Sequence, residues 1–334
     1  MNSFMKKWGL LSIVLLLSMF MIVGCGSQED TTQGEQNTKN DSTQQEENNT
    51  ESAQAFPVTI KDDAGKEVTI ESEPESIVSI QASNTEILFA LGLGDKVIGV
   101  SDYDNYPPEA LEIEKVGAQD INVEMVLSLQ PDIALVTDYH NETHPDILKQ
   151  LEEAGIKVVV VGDTSSFDEV YKNIQMIGQA TGTEEKANEI VTDMEDRLAA
   201  IKEKAAAEIT EKKKVWVEVS PSPDIFTTGK NTFMNEMLES IQAVNAAEDQ
   251  EGWVKLTEEE IVKLNPDVII TTYGYYIDKP SEQVLARKGW TEVPAIKNKQ
   301  VFDVDNDTVT RPGPRLIEGV ETLAKLIYPE VFEK

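Results

Sequence analysis

Two distant segments of this 334-residue chain read alike. Asn122-Val123-Glu124 leads through Met125-Val126-Leu127-Ser128-Leu129 to Gln130-Pro131-Asp132 and a buried-type apolar run; Thr257-Glu258-Glu259 leads through Ile261-Val262-Lys263-Leu264 to Asn265-Pro266-Asp267 and another. The Glu-to-Pro spacing is seven in both. Each segment predicts a short helix that starts on Asn122 or Thr257 as N-cap, stops before the proline and is followed by a strand. Strands apolar on both faces belong to parallel sheets covered by helices, so a chain carrying this unit twice is expected to form two α/β lobes. Glu124 and Glu259 fall at the same place in the first helical turn, pointing outward. Complementing the helix dipole is enough to explain either one taken alone.

The rest of the pattern agrees. A hairpin is predicted over 58–70, then a strand at Ile77-Val78-Ser79-Ile80. Ser83 with Glu86 three residues on reads as a capping box opening a helix that Gly92 and Gly94 end. Strands follow at 97–100 and near Val116, a helix at 123–129, a strand at 133–137, a helix at 145–153 and a strand at 157–161. From Phe167 to Ile209 the period is helical, broken at Gly178 and Gly182, and 184–208 is the longest uninterrupted stretch. A second alternation comes after it, ending in a helix over 314–327. The expected organisation is a first lobe over 56–180, an interlobe helix over 181–210 and a second lobe over 211–334.

Upstream of the lobes, Lys6 and Lys7 precede an apolar run from Leu10 to Val23, too short for a comfortable membrane span and suited to a secretory leader. Ile22-Val23-Gly24 before Cys25 resembles the lipobox of bacterial lipoproteins. That resemblance implies cleavage after residue 24 and a Cys25 carrying diacylglycerol and further acyl chains such as palmitate. Two or three chains at about 0.8 kcal/mol per buried methylene make a stable anchor. From Gly26 to Ala55 the chain is Gln, Asn, Glu, Thr and Ser without an aromatic residue, so 25–55 is expected to be a disordered acidic tether. Losing residues 1–24 removes two lysines and no carboxylate, moving the net charge from −32 to −34.

Such acidity argues against a nucleic-acid partner. One cysteine excludes an internal disulfide and any thiolate metal cluster. Thr228-Gly229-Lys230-Asn231-Thr232 fails as a phosphate loop, because Asp224 stands where its first glycine belongs and Asn231 where a magnesium-binding hydroxyl belongs. No Gly-x-Ser-x-Gly elbow occurs, and the only histidines are His140 and His144, so no enzyme is expected. Their spacing would place both on one helix face; a solvated loop or helix cap, a ligand contact and a metal pair are the alternatives, and a closed metal site lacks further histidines.

Ser83-Asn84-Thr85-Glu86-Ile87-Leu88-Phe89-Ala90-Leu91-Gly92, Val97 to Tyr103, Tyr106-Pro107-Pro108, Trp290 to Asn298 and Arg311-Pro312-Gly313-Pro314-Arg315 resemble the cobalamin and ferric-siderophore class of ABC-importer substrate-binding proteins. The resemblance covers Val58 to Phe332. It implies two Rossmann-like lobes with parallel central sheets, joined by one rigid helix, with a ligand cleft between them. It implies a monomer held on the extracytoplasmic face of the cell membrane, binding a metal chelate, cobalamin or else a ferric siderophore or haem, without a cofactor of its own. Glu124 and Glu259 match the positions that dock on arginines of a permease dimer. Asp307 and Arg311 match positions that touch corrin side chains, and the Tyr103 to Pro108 loop also matches cobalamin binders; Trp253 and Tyr275 could add flat contacts. The chain departs from that pattern in having no Trp over 117–121 or at Thr137. Arg311 and Arg315 could instead meet an anionic siderophore, with Arg315 the more structural of the two, and Glu86 stays a capping residue.

Overall fold

The computed structural model describes residues 55–333. They belong to one compact unit, Glu51–Lys334. The leader, Cys25 and the expected tether up to residue 54 lie outside the described residues.

The antiparallel hairpin is present as β1 (Val58–Lys61) and β2 (Glu67–Ile70), paired with Val58 opposite Ile70. Val58, Ile60, Val68 and Ile70 turn inward, the alternation expected of a strand pair with one wet face. Five strands then build the first sheet: β3 (Ile77–Ser79), β4 (Val97–Val100), β5 (Glu114–Lys115), β6 (Ile133–Thr137) and β7 (Lys157–Val161). All are parallel, in the order β5-β4-β3-β6-β7. The second lobe supplies β8 (Lys214–Glu218), β9 (Phe226–Thr228), β10 (Val244–Asn245), β11 (Trp253–Lys255), β12 (Val268–Thr271) and β13 (Val301–Asp303). Its parallel sheet runs β10-β8-β12-β13, while β9 and β11 form a separate antiparallel pair. The fold is therefore α/β with two parallel sheets, as the repeated unit required.

The two repeat units superimpose in their chemistry. The helices Val123–Leu129 and Glu258–Leu264 have the predicted bounds, and the side chains of Asn122 and Thr257 accept from the N–H groups of Met125 and Glu260. Each ends on a left-handed residue, Gln130 (φ 50°) or Asn265 (φ 55°), directly before Pro. The following aspartate then ties down the start of a neighbouring strand: Asp132 Oδ2 accepts from the N–H groups of Glu75 and Ser76 at 2.9 and 3.0 Å, and Asp267 Oδ2 from that of Lys214 at 2.9 Å.

Between the sheets lie the helices Phe167–Thr181 and Glu184–Glu208, the latter 25 residues long. Gly178 does not break the first of these. A Cβ there would sit 2.4 Å from Ala187 Cβ, so the glycine allows the two helices to touch. Val191, Met194, Leu198 and Ile201 of the long helix join Ile174 and Ile177 on one side to Leu238 and Leu323 on the other in a single apolar core. Moving one lobe against the other would expose part of that core.

A second expectation fails at the helix Ala82–Ala90. Its N-cap is Gln81, without a side-chain cap, and Ser83 and Glu86 are buried inside it. Glu86 is not a capping residue. The other end is as read: Gly92 takes φ +83°, and the N–H groups of Leu93 and Gly92 reach the carbonyls of Leu88 and Phe89 in a Schellman turn.

Candidate ligand cleft

Ligands of parallel α/β sheets bind outside the carboxyl ends of the strands. In the first lobe those ends lead to Ile80-Gln81 after β3, Ser101 after β4, Thr137 at the end of β6 and Gly162-Asp163 after β7. These residues form one wall of a cleft whose other wall is second-lobe: Thr310, Arg311 and Pro312, with Phe233 and Trp253 further along. Two compartments of about 390 and 240 Å³ share Gln81, Ser83, Asp163 and Pro312 at their boundary.

Tyr103 and Tyr139 line the larger compartment, and Trp253 the smaller; Tyr103 is 70% and Trp253 55% exposed. Tyr103 is carried on a loop anchored by the buried Asp104, whose Oδ2 accepts from Ser101 N–H at 2.9 Å and from its hydroxyl. Burial raises the Asp104 carboxyl, against the lowering effect of those hydrogen bonds. Tyr275 stands apart. It follows β12, is edge-on to Tyr276 at 4.7 Å and lines neither compartment.

Two polar groups in the smaller compartment went unnoticed in the sequence. Asn84 Nδ2 and Thr164 Oγ1 are buried and have no protein hydrogen-bond partner. An amide donor left without an acceptor in the lining of a cleft is a natural contact for a ligand acceptor. Only the fold reveals it, since Asn84 in sequence is one more polar residue near a helix start.

His140 has both ring nitrogens engaged. Nδ1 accepts from Thr137 N–H at 3.1 Å and Nε2 donates to the Ala118 carbonyl at 2.7 Å, making it the third-residue partner in a capping box for the helix Asp138–Thr143. Burial lowers its pKa below 6.5, with the Ala118 hydrogen bond opposing, so it is neutral at pH 7. His144 Nε2 lies 3.9 Å from Asp120 Oδ1. Among the described residues no group of three or more metal-ligating side chains forms.

Asp307 and Arg311 do come together at the cleft, but not as free charges. Arg311 Nη2 is 3.1 Å from Asp307 Oδ1, and its Nη1 donates to Glu86 Oε1 at 2.7 Å. Arg315 grips the same carboxylate, Nε to Oε2 at 2.8 Å and Nη2 to Oε1 at 2.7 Å. Burial works against the Arg315 charge, and the Glu86 hydrogen bonds together with the charges of Glu86, Asp305 and Asp307 outweigh it, leaving its pKa raised. Glu86 thus serves a cross-lobe ion cluster, for which a sequence separation of more than two hundred residues gave no signal. Glu124 and Glu259 lie elsewhere, exposed in the first turns of their helices.

The periplasmic binding protein family profile matches residues 77–308. The chain belongs to that family. A Bacillus subtilis (strain 168) relative, the uncharacterized ABC transporter substrate-binding lipoprotein YvrC, is 50% identical over 331 residues, covering 99% of this chain and 100% of the relative. The solved structure of a possible iron-binding (periplasmic solute-binding) protein from Staphylococcus epidermidis ATCC 12228 matches at TM-score 0.68 and 37% identity, covering 77% of this chain and 100% of that one. The vitamin B12-binding protein BtuF of Vibrio cholerae matches at TM-score 0.64 and 27% identity, covering 78% and 98%. As a periplasmic binding protein of this kind, the chain is the substrate-binding component of an ABC transporter, with a permease and a small-molecule ligand as its partners. Among the described residues no helix is long and apolar enough to cross a membrane.

Proposed function

We propose that this protein is a lipid-anchored extracytoplasmic receptor that captures cobalamin and delivers it to the permease of an ABC importer. The observation that carries the ligand is the lining of the cleft. Tyr103, Tyr139 and Trp253 offer flat faces, and Gln81, Ser83, Asn84, Gln119 and Thr310 offer neutral hydrogen-bonding groups. A corrin ring edged with carboxamides needs both. Tyr103, Trp253, Asp307 and Arg311 are assigned to the ligand, and Tyr275, outside both compartments, is left out. A ferric siderophore is the second reading, supported by the iron-binding name of the Staphylococcus epidermidis neighbour. Haem is less well served, because both nitrogens of His140 already have partners.

Glu124 and Glu259 are the proposed docking carboxylates. Their matched exposure on two repeat units suits a two-fold permease, where rim charges steer and orient association. Cys25 is the proposed lipid attachment point; Cys25→Ala should release the protein from membranes during fractionation while leaving the folded part intact.

Tryptophan fluorescence tests the ligand. Trp216 and Trp290 are buried and Trp253 is exposed at the cleft, so Trp253 is the described tryptophan placed to contact a bound chromophore. Cyanocobalamin is expected to quench at lower concentration than a ferric hydroxamate, a ferric catecholate or haem, and Trp253→Phe to remove most of the change. Saturable quenching by a ferric chelate and none by cyanocobalamin would move the assignment to the second reading.

A further inference from the structure

Arg311, the cation in the cleft lining, and Arg315, four residues on, share one carboxylate from the opposite lobe. Glu86 belongs to the first-lobe helix Ala82–Ala90, whereas Arg311 and Arg315 follow β13 in the second lobe. The Glu86 side chain is 3% exposed and accepts three charge-assisted hydrogen bonds from the two guanidinium groups. Arg311 is further occupied by Asn105 Oδ1 at 2.9 Å and by Asp307, and Arg315 lies 3.7 Å from the Tyr106 ring centroid. Asp307 is itself held by Asn105 Nδ2 at 2.9 Å. With Asp163 also in the lining and His140 neutral, the cleft carries no uncompensated positive charge among its described residues.

We infer that Glu86 is a specificity-determining residue: together with Asp307 it balances the charges of Arg311 and Arg315 across the lobe boundary, and so makes the cleft reject anionic chelates in favour of neutral ones. An anion entering beside Arg311 would compete for it with a buried carboxylate that has no partners besides Arg311 and Arg315, and displacing that carboxylate costs more than the new contact returns. It would also approach Asp307 and Asp163, and like charges brought together are an effective means of excluding a competitor. A neutral ligand meets neither penalty.

This inference rests on the proposal that a metal chelate binds in this cleft, but not on which neutral chelate it is. The test measures dissociation constants by calorimetry for the protein, Glu86→Gln and Asp307→Asn, using cyanocobalamin and ferrichrome as neutral probes and a ferric tris-catecholate as the trianion. Glu86→Gln is nearly isosteric and should tighten trianion binding at least about tenfold in low salt, a modest fraction of the unscreened effect of one charge at contact distance. Binding of the neutral probes should change far less. The gain should fade in about 0.5 M salt, because the cleft is open to solvent. Asp307→Asn should move trianion binding in the same direction by less, and it decides the matter if Glu86→Gln does not fold. Binding of a neutral probe by the parent protein, with no trianion gain in either variant, would overturn the role of Glu86 and leave the ligand proposal standing. Failure of all three probes with the parent and both variants would overturn the ligand proposal and this inference together.

Discussion

The two repeat units agree up to the last residue of their strands and diverge immediately after it. Through Thr137 and Thr271 each has a capped helix, an exposed glutamate in the first turn, a left-handed residue before proline and an aspartate on a neighbouring strand's N–H. Beyond Thr137 the first lobe closes without a buried ion pair: His140 folds back on the Thr137 N–H, and Asp138 Oδ2 accepts from the Asp163 N–H at 3.1 Å. Beyond Thr271 the second lobe closes on a charge. Tyr273 donates to Glu218 Oε1 at 2.6 Å, and Arg287 Nη1 donates to Glu218 Oε2 at 2.8 Å. Glu218 is 0% exposed. The shared part satisfies backbone groups that any such unit must satisfy; the divergent part lies at the carboxyl ends of the strands, where Thr137 and His140 line the cleft in the first lobe.

The sharpest way to break this comparison is to remove the charge from one closure. Arg287→Met leaves Glu218 buried without its cation and is expected to cost about 3–5 kcal/mol, lowering Tm by roughly 10 °C. His140→Ala in the first lobe removes only neutral hydrogen bonds and should cost about 1–3 kcal/mol. Thermal unfolding of both variants decides it, and equal losses would mean that the closures do not differ in kind. Trp253→Ala then probes the ligand side of the contrast. Loss of its exposed ring should weaken cobalamin binding by roughly 1–2 kcal/mol, with fluorescence quenching largely abolished; unchanged affinity by calorimetry would take β11 out of the site.

The shared part of the repeat was legible because its signals are local. Proline, the N-caps and a four- or five-residue apolar run lie within sixteen residues in each unit, and the bounds of both helices follow from them. The cleft was legible only in pieces. Ser83 and Glu86 have the spacing of a capping box, yet Ser83 is interior because the helix starts two residues earlier than that box requires, and Glu86 is claimed by Arg311 and Arg315 from the far end of the chain. The pair β9 and β11 escaped notice for a similar reason: three-residue strands joined across a long intervening segment have no turn signal between them. Trp253 was nominated for its flat ring alone, and its place on a cleft wall comes from that pairing.

Glu124 and Glu259 test the part that the two lobes share. Each Ala substitution should cost only about 0.3–1 kcal/mol of stability and leave ligand affinity unchanged, while lowering permease-dependent uptake; the double variant should be the most impaired. Full uptake by the double variant would reduce both carboxylates to dipole partners of their helices. Unequal single effects would show that the permease reads the two lobes differently in spite of their common framework.

The smallest expected effect is a pH dependence confined to the first-lobe closure. Burial, opposed by the Ala118 hydrogen bond and reinforced by His144, holds the His140 pKa below 6.5. The unfolded chain therefore takes up this proton at a higher pH than the folded one, and wherever it binds more protons stability increases with pH. The contribution of neutral His140 is complete above pH 6.5 and is lost as pH falls through its folded value. The second closure has no counterpart in that range: burial and the neighbouring Glu218 charge push Tyr273 upward, and for Arg287 burial is outweighed by the hydrogen bonds it donates to Glu218 together with the neighbouring negative charges. Between pH 7 and 5.5 the Tm of the parent protein should accordingly fall faster than that of His140→Gln. Parallel curves for the parent and His140→Gln would assign the acid-side loss to carboxylates and leave the two closures alike in their response to protons.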